Sequence, residues 1–511
     1  MDDVTRELPP VVVGSDRPTA TNVSTRAPAT LFRNTFFGLA ARAFGIGGAA
    51  VAAVLTIRTL SVSQYGVLAT GLALTAVVAA VTELGVTTVT AREIARQPDQ
   101  TGSRLGTAVA AQLFTGCAGA ALLVPVGLLL GYPPATLAVL GVGTIVVLAQ
   151  GVLAAYGAVF LAQRVFIYIA VYTVVQYATL VGATGIAAWT DADATGFAAA
   201  TAASYVAAAL AAVTAVRLGL RIRPNVRGSW RSAPLLLRAA APIALSGSVL
   251  AIYGRIDVVL LSKLGEPADV AIYNVPLIVA EMAQIVPAVV ATAFFPLLTL
   301  QLRDAPDEAR SSFDLMARLF LLISVPIAFV LGIGGTTILE TAFGSVYRAA
   351  GPVLSILAPT IVFAFFTYLL WYGMLAARLE RGRVPAVIAG LALNVGLNLW
   401  LIPAYGARGA AVALLASDAF MVTWLFVVVA RSAFPFRWTA IFGRPSIAGG
   451  ASALLLLLPL PALAIAGLMS LAYVGVLLGS GYIRLEEWQP VIGPLLDIFG
   501  RTRGAVRRRV L

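Results

Sequence analysis

Apolar stretches of around 20 residues recur along this chain from Phe36 to Ile483, separated by short polar turns. A helix of that length spans the roughly 30 Å hydrocarbon layer of a bilayer. Inside that layer every backbone N–H and C=O must find a partner within the protein, so only helices or a closed barrel can cross. The alternating runs of about 10 residues that a barrel needs are absent. The chain therefore reads as an all-α polytopic membrane protein. Its charged fraction agrees: 11% of the 511 residues, against about 25% in soluble domains.

Hydropathy predicts fourteen spans, from 36–57 to 466–483, with the seventh at 239–262 and the eighth at 271–297. Their order divides the chain into a tail (1–30), a first lobe of six spans (31–216), a basic linker (217–238), a second lobe of six spans (239–431), a last pair of spans (432–483) and a basic tail (484–511). The first tail is rich in Pro, Thr and Asp and reads as disordered. In the last tail, apolar residues at helical spacing and terminal arginines suit a helix lying on an anionic leaflet. Basic residues test the layout. With the N-terminus cytoplasmic, 29 of the 35 Lys and Arg fall in inner segments and four in outer loops. That is the asymmetry expected of a chain whose two termini are both cytoplasmic. A faint repeat links Arg58–Gly66 to Ser262–Tyr273. Both connect an outward to an inward helix, so the halves are related as parallel repeats.

The net charge of +12 is accounted for by those loops, and nucleic acid is not an expected partner. There is no His, which excludes His-based catalysis and His-ligated metals. The one Cys, Cys117, reads as a small apolar side chain. No phosphate-binding Gly-rich loop, nucleophile elbow or metal-ligand cluster appears, so no enzyme activity, cofactor or metal is expected.

Charges sunk in the spans are the candidate functional groups, since an ionised side chain at membrane depth costs about 2.5–3.5 kcal/mol on insertion scales. Arg42 and Glu83 lie at similar depth towards the inner side, and either pair or line an inward vestibule together. Arg255 and Glu281 lie at similar depth towards the outside. Asp257 projects to nearly the opposite side of its helix from Arg255, and Asp418 lies near the middle of the twelfth span. For each, an ion pair that fixes packing stands beside a role in handling substrate. Arg42 and Arg255 suit an oxyanion, because a guanidinium stays charged and binds phosphate bidentately. Glu83, Asp257, Glu281 and Asp418 are candidates for gating or coupling.

Several segments taken together resemble a family: Leu60-Ser-Val-Ser-Gln-Tyr-Gly66, Glu83-Leu-Gly85, Arg92-Glu-Ile-Ala-Arg96, Arg255-Ile-Asp257, Ala271-Ile-Tyr-Asn274 and Leu401-Ile-Pro-Ala-Tyr-Gly-Ala-Arg-Gly-Ala-Ala411. In order and spacing they are similar to the Wzx-type polysaccharide flippases of the multidrug/oligosaccharidyl-lipid/polysaccharide exporter superfamily. The resemblance implies two six-helix lobes around a central cavity. It implies transfer of a polyprenyl-diphosphate-linked oligosaccharide from the inner to the outer leaflet of the cell membrane, with membrane lipids and a polysaccharide polymerase as partners. Arg255, Asp257 and Glu83 occupy positions of the family's motifs; Arg42 matches none. A lipid II flippase, a cation-coupled multidrug antiporter and an integral-membrane polymerase or ligase are the alternative readings.

Overall fold

The computed structural model describes residues 27–83, 85–226, 228–379, 382–432 and 439–482. Most of the tails expected at 1–30 and 484–511 lies outside them. Among the described residues there are helices and turns and no strand. The first lobe holds α1 (Ala27–Thr59), α2 (Val62–Glu83), α3 (Val86–Arg96), α4 (Thr101–Leu129), α5 (Pro134–Ala162), α6 (Phe166–Trp189) and α7 (Ala194–Thr214). After the linker come α8 (Ala233–Tyr253), α9 (Ile256–Leu264), α10 (Pro267–Ala283), α11 (Ile285–Asp304), α12 (Pro306–Phe343), α13 (Gly351–Ala376) and α14 (Arg383–Ser432). The last pair is α15 (Arg444–Ala453) and α16 (Ala462–Gly479), which pack together, α16 also lying against α12.

Among the described residues twelve helical segments, against the fourteen spans expected, are long and apolar enough to cross a membrane. Two places account for the difference. First, the seventh expected span, 239–262, falls on α8 and α9, which meet at the Gly254–Arg255 interruption and are not among the twelve. Second, α14 counts once although it reverses. At Gly406 the backbone takes φ 54 and ψ −131, which a residue with a Cβ adopts only with strain. The Cα of Gly409 then lies so close to the Leu401 backbone that a Cβ would stand 2.3 Å from that carbonyl oxygen. In a straight helix those two residues are about 12 Å apart. The two limbs of α14 thus run antiparallel, and the turn falls where the sequence places a break between spans.

Three further interruptions shape the interior. α2 gives way to α3 at Gly85, α8 to α9 at Gly254–Arg255, and α10 to α11 at Gln284. Interrupted helices at membrane depth are tolerated where protein or a water-filled cavity surrounds the freed backbone groups. Glu83, Arg255 and Glu281 each lie within three residues of one of these points.

Packing relies on small side chains, as lipid tails give apolar helices no drive to associate beyond close contact. One cluster, with Leu105, Ala108, Val159 and Phe160, also takes in Leu236 and Ala240 of α8. The start of α8 is therefore seated on the first lobe, while its later part touches α14. The larger cluster joins Tyr65 and Leu68 of α2 to Val270, Tyr273 and Leu277 of α10, and continues through α12, α13 and α14.

The lobes meet tightly at the end opposite the arginine-rich linker. There α2 crosses α10 so closely that a Cβ on Gly66 would stand 1.7 Å from the Pro267 carbonyl oxygen. Beside the crossing, Tyr65 Oη donates to Asn274 Oδ1 at 3.0 Å. Two cations flank it. At the end of α1, Arg58 donates to the Ala342 and Thr341 carbonyls, both at 2.7 Å. In the last turn of α9, Lys263 donates to the Leu130 carbonyl at 2.6 Å and stands 3.3 Å from the Tyr132 ring centroid. Each cation thus reaches the last carbonyls of a helix in the other lobe, α12 in one case and α4 in the other. Those carbonyls have no partner within their helix and carry the negative pole of its dipole. The two clamps are counterparts under the repeat seen in the sequence.

Candidate functional site: two cavities divided by an ion pair

Two cavities lie at the inner helices of the lobes. The first, of about 340 Å³, is lined by α1, α2, α5, α6 and α7, with Arg255 and Asn274 entering from the other side. Its polar lining is neutral apart from Arg255: Thr56, Thr75, Gln150, Thr201 and Tyr205 contribute hydroxyls and an amide. The second, of about 500 Å³, belongs to the second lobe. It carries Asp257, Glu281 and Asp418, the aromatic residues Tyr253, Tyr368, Trp371 and Tyr372, and Arg383.

Arg255 and Glu281 stand between them. Arg255 lines the first cavity, Glu281 the second, and their side chains meet in a two-stranded pair, Nη1–Oε1 3.2 Å and Nη2–Oε2 3.3 Å. Both side chains keep about a third of their surface open, 34% and 35%. The pair is therefore wet, and its bonds are long for charge-assisted ones, which run at about 2.7–2.9 Å. Both residues sit at helix interruptions, Arg255 as the residue before α9 and Glu281 in the last turn of α10.

Asp257 is buried, 3% exposed, and turned into the second lobe. It accepts from Tyr273 Oη at 2.8 Å and from Asn398 Nδ2 at 2.7 Å. Asn398 also donates to Asn394, and both amides lie on the first limb of α14. The Asn398 Oδ1 and Asn394 Nδ2 atoms are buried without a partner. Asp418 accepts from Tyr253 Oη at 2.6 Å. Asp257, buried, and Asp418, half-buried, are held by two hydroxyls and an amide and form a polar floor to the second cavity, where bare carboxylates would be costly.

The structure brings Arg255, Glu281, Asp257 and Asp418 together and leaves Arg42 and Glu83 apart from them. Arg42 is exposed on α1 and lines neither cavity. Glu83 accepts from the Gly85 and Thr87 amides, at 3.3 and 3.2 Å, and so caps α3 at the interruption. Arg42 and Glu83 form no ion pair. Gln112 donates to the Glu83 carbonyl at 2.9 Å, whereas Gln150 and Gln284 line the cavities. Arg383 and the Tyr368–Trp371–Tyr372 group were not singled out from sequence. Arg383 was absorbed in the basic loop excess, and aromatic residues on an apolar helix carry no signal of their own.

The model of a family described as polysaccharide biosynthesis protein matches residues 54–352. No curated protein sequence matches the chain. Among solved structures, the chain is similar to the lipid II flippase MurJ in an inward closed conformation, with TM-score 0.69 and 13% identity, covering 88% of this chain and 98% of that one. It is also similar to an inward-facing multidrug resistance MATE family transporter of the MOP superfamily, with TM-score 0.59, 13% identity and coverage of 76% and 94%. A MOP superfamily transporter from Pyrococcus furiosus gives TM-score 0.54, 13% identity and coverage of 79% and 94%. At such identities the likeness is one of fold.

Proposed function

We propose, from the premise that this chain belongs to the polysaccharide biosynthesis protein family, that it moves a polyprenyl-diphosphate-linked oligosaccharide from the inner to the outer leaflet of the cell membrane by alternating access. The observation that carries the reading is the wet Arg255–Glu281 pair between two cavities. A lipid-linked sugar needs its diphosphate and glycan kept from hydrocarbon while its tail stays in lipid. Arg255 offers an oxyanion a planar fork with one wall already open. A diphosphate that engages Arg255 competes with Glu281, so substrate binding loosens the partition. Hydroxyls and amides of the first cavity, and aromatic faces and carboxylates of the second, are groups that take up sugar hydroxyls and ring C–H faces. Arg42, exposed on α1, serves as a second anion contact. Glu83 stiffens the α2–α3 interruption during the movement, and Asp257 and Asp418 are the coupling groups, Asp257 with the unpartnered Asn398 carbonyl oxygen beside it. With both termini cytoplasmic, as the basic residues argue, the Arg58 and Lys263 clamps close the outer end, and the described conformation faces inward.

The test is transfer of a fluorescent polyprenyl-diphosphate sugar across proteoliposomes, followed by access of a membrane-impermeant quencher. Wild-type protein transfers it; Arg255→Gln reaches the membrane in equal amount and loses transfer at least tenfold. Equal transfer by the variant removes Arg255 from the mechanism. The acidic, aromatic second cavity also favours one other reading, an antiporter of organic cations. Accumulation of a cationic dye in cells lacking the protein, reversed by its return, would decide for that reading.

A further inference from the structure

Several arginines in this structure are committed. Arg58 is bonded to carbonyls, Arg104 to Glu93, Arg255 to Glu281, and Arg318 and Arg444 to carbonyls near the end of the last helix. Arg383 differs. It opens α14 at the arginine-rich end, lines the second cavity, and lays its guanidinium over the Trp371 ring, 3.7 Å from the centroid. Among the described residues it has no hydrogen-bond or ion-pair partner. Stacking occupies the face of a guanidinium and leaves its in-plane N–H edge free. A flat cation with no partner for its donors among the described residues, braced against an aromatic wall of a cavity, suits an oxyanion. The carboxylates of that cavity have other partners: Glu281 pairs with Arg255, Asp418 accepts from Tyr253, and Asp257 accepts from Asn398, 15 residues further along α14, or about 22 Å at helical rise.

We propose that Arg383 is the first oxyanion station of the second cavity. It takes the diphosphate of a lipid-linked substrate at the arginine-rich mouth, before that group reaches Arg255. The inference rests on the substrate class proposed above and adds a residue and an order to it. The shared chemistry is a phosphate ester, which a polyprenyl diphosphate or the headgroup of an ordinary anionic lipid could supply; the first is the proposed source.

Full-length protein in nanodiscs of phosphatidylcholine would be titrated with geranylgeranyl diphosphate and, as control, geranylgeraniol, reading tryptophan emission and direct binding. The expected result is an emission change with the diphosphate alone, absent in Trp371→Phe. Arg383→Gln weakens binding at least tenfold. Arg383→Lys, which keeps charge and loses the fork and the stack, falls between and covers the case in which the Gln variant fails to fold. Wild-type-like binding by both Arg383 variants overturns the proposal. If binding then depends on Arg255 alone, the substrate class survives; if wild-type protein binds no diphosphate, both fail. A second arm replaces part of the lipid with phosphatidylglycerol and omits the diphosphate. The same Trp371 response there would assign the site to ordinary headgroups and overturn the proposal.

Discussion

Removing both cations at the closed end should open it. Arg58 makes two charge-assisted bonds of 2.7 Å to the last carbonyls of α12, and Lys263 one of 2.6 Å to the Leu130 carbonyl, with the Tyr132 ring behind it. A hydrogen bond to a charged group is worth about 1.5–3 kcal/mol when shielded. Both side chains are exposed, and a cation at an exposed helix C-terminus contributes about 0.3–1 kcal/mol. A figure of about 1 kcal/mol per clamp is therefore reasonable, or about 5-fold in the closed-to-open ratio. The sites are held by different helices, so the two effects add to about 2 kcal/mol, or about 30-fold. If the closed state is favoured about 100-fold, the open population rises from about 1% to about a quarter. The assay is electron–electron distance measurement between spin labels at Trp189→Cys and Val346→Cys, 86% and 67% exposed and at the same end, with Cys117→Ala removing the native thiol. Arg58→Gln with Lys263→Gln should add a longer distance, each single variant a smaller fraction of it, and Arg58→Lys little. An unchanged distribution in the double variant would refute the idea that these cations hold the lobes shut.

Other outcomes follow from the same geometry. Exchanging the partition's charges, Arg255→Glu with Glu281→Arg, keeps a pair but turns a carboxylate into the first cavity; the protein should reach the membrane and fail in the proteoliposome assay, and restored transfer would reduce the pair to a packing role. Gly66→Ala drives a methyl against the Pro267 carbonyl and should lower thermal stability by at least about 2 kcal/mol, read as a fall in the unfolding midpoint in detergent. Tyr273→Phe leaves the buried Asp257 carboxylate one donor short and should cost about 1–3 kcal/mol in the same measurement, against near-neutral Tyr405→Phe at an exposed position.

How far the sequence reaches can be seen residue by residue. The all-helical membrane fold was legible because the apolar period and the charge asymmetry of the loops act through bulk solvation, which needs no tertiary detail. The reversal at Gly406 was legible too, as a short polar interval between apolar runs. The interruption at Arg255 was not. Gly254-Arg255 carries no proline, and its apolar flanks read as one span from 239 to 262; tertiary contacts with two lobes bend it. The pairing of Arg255 with Glu281 was half legible, as two charges at equal depth. Glu83 was legible as a charge, but its capping of α3 depends on an interruption only the coordinates reveal. Arg383 was hidden by its neighbours: in a loop already basic, one more arginine looks like topology.

The two cavities have a consequence for breadth of use. Spaces of about 340 and 500 Å³ are each of the size that encloses a single drug-like molecule. Under the proposed function, recognition then stops after the first few rings next to the lipid, and whatever is attached beyond them trails into the aqueous phase unread. A carrier of this shape would tolerate lengthening or branching at the far tip of its cargo, while remaining exacting about the sugar nearest the anchor.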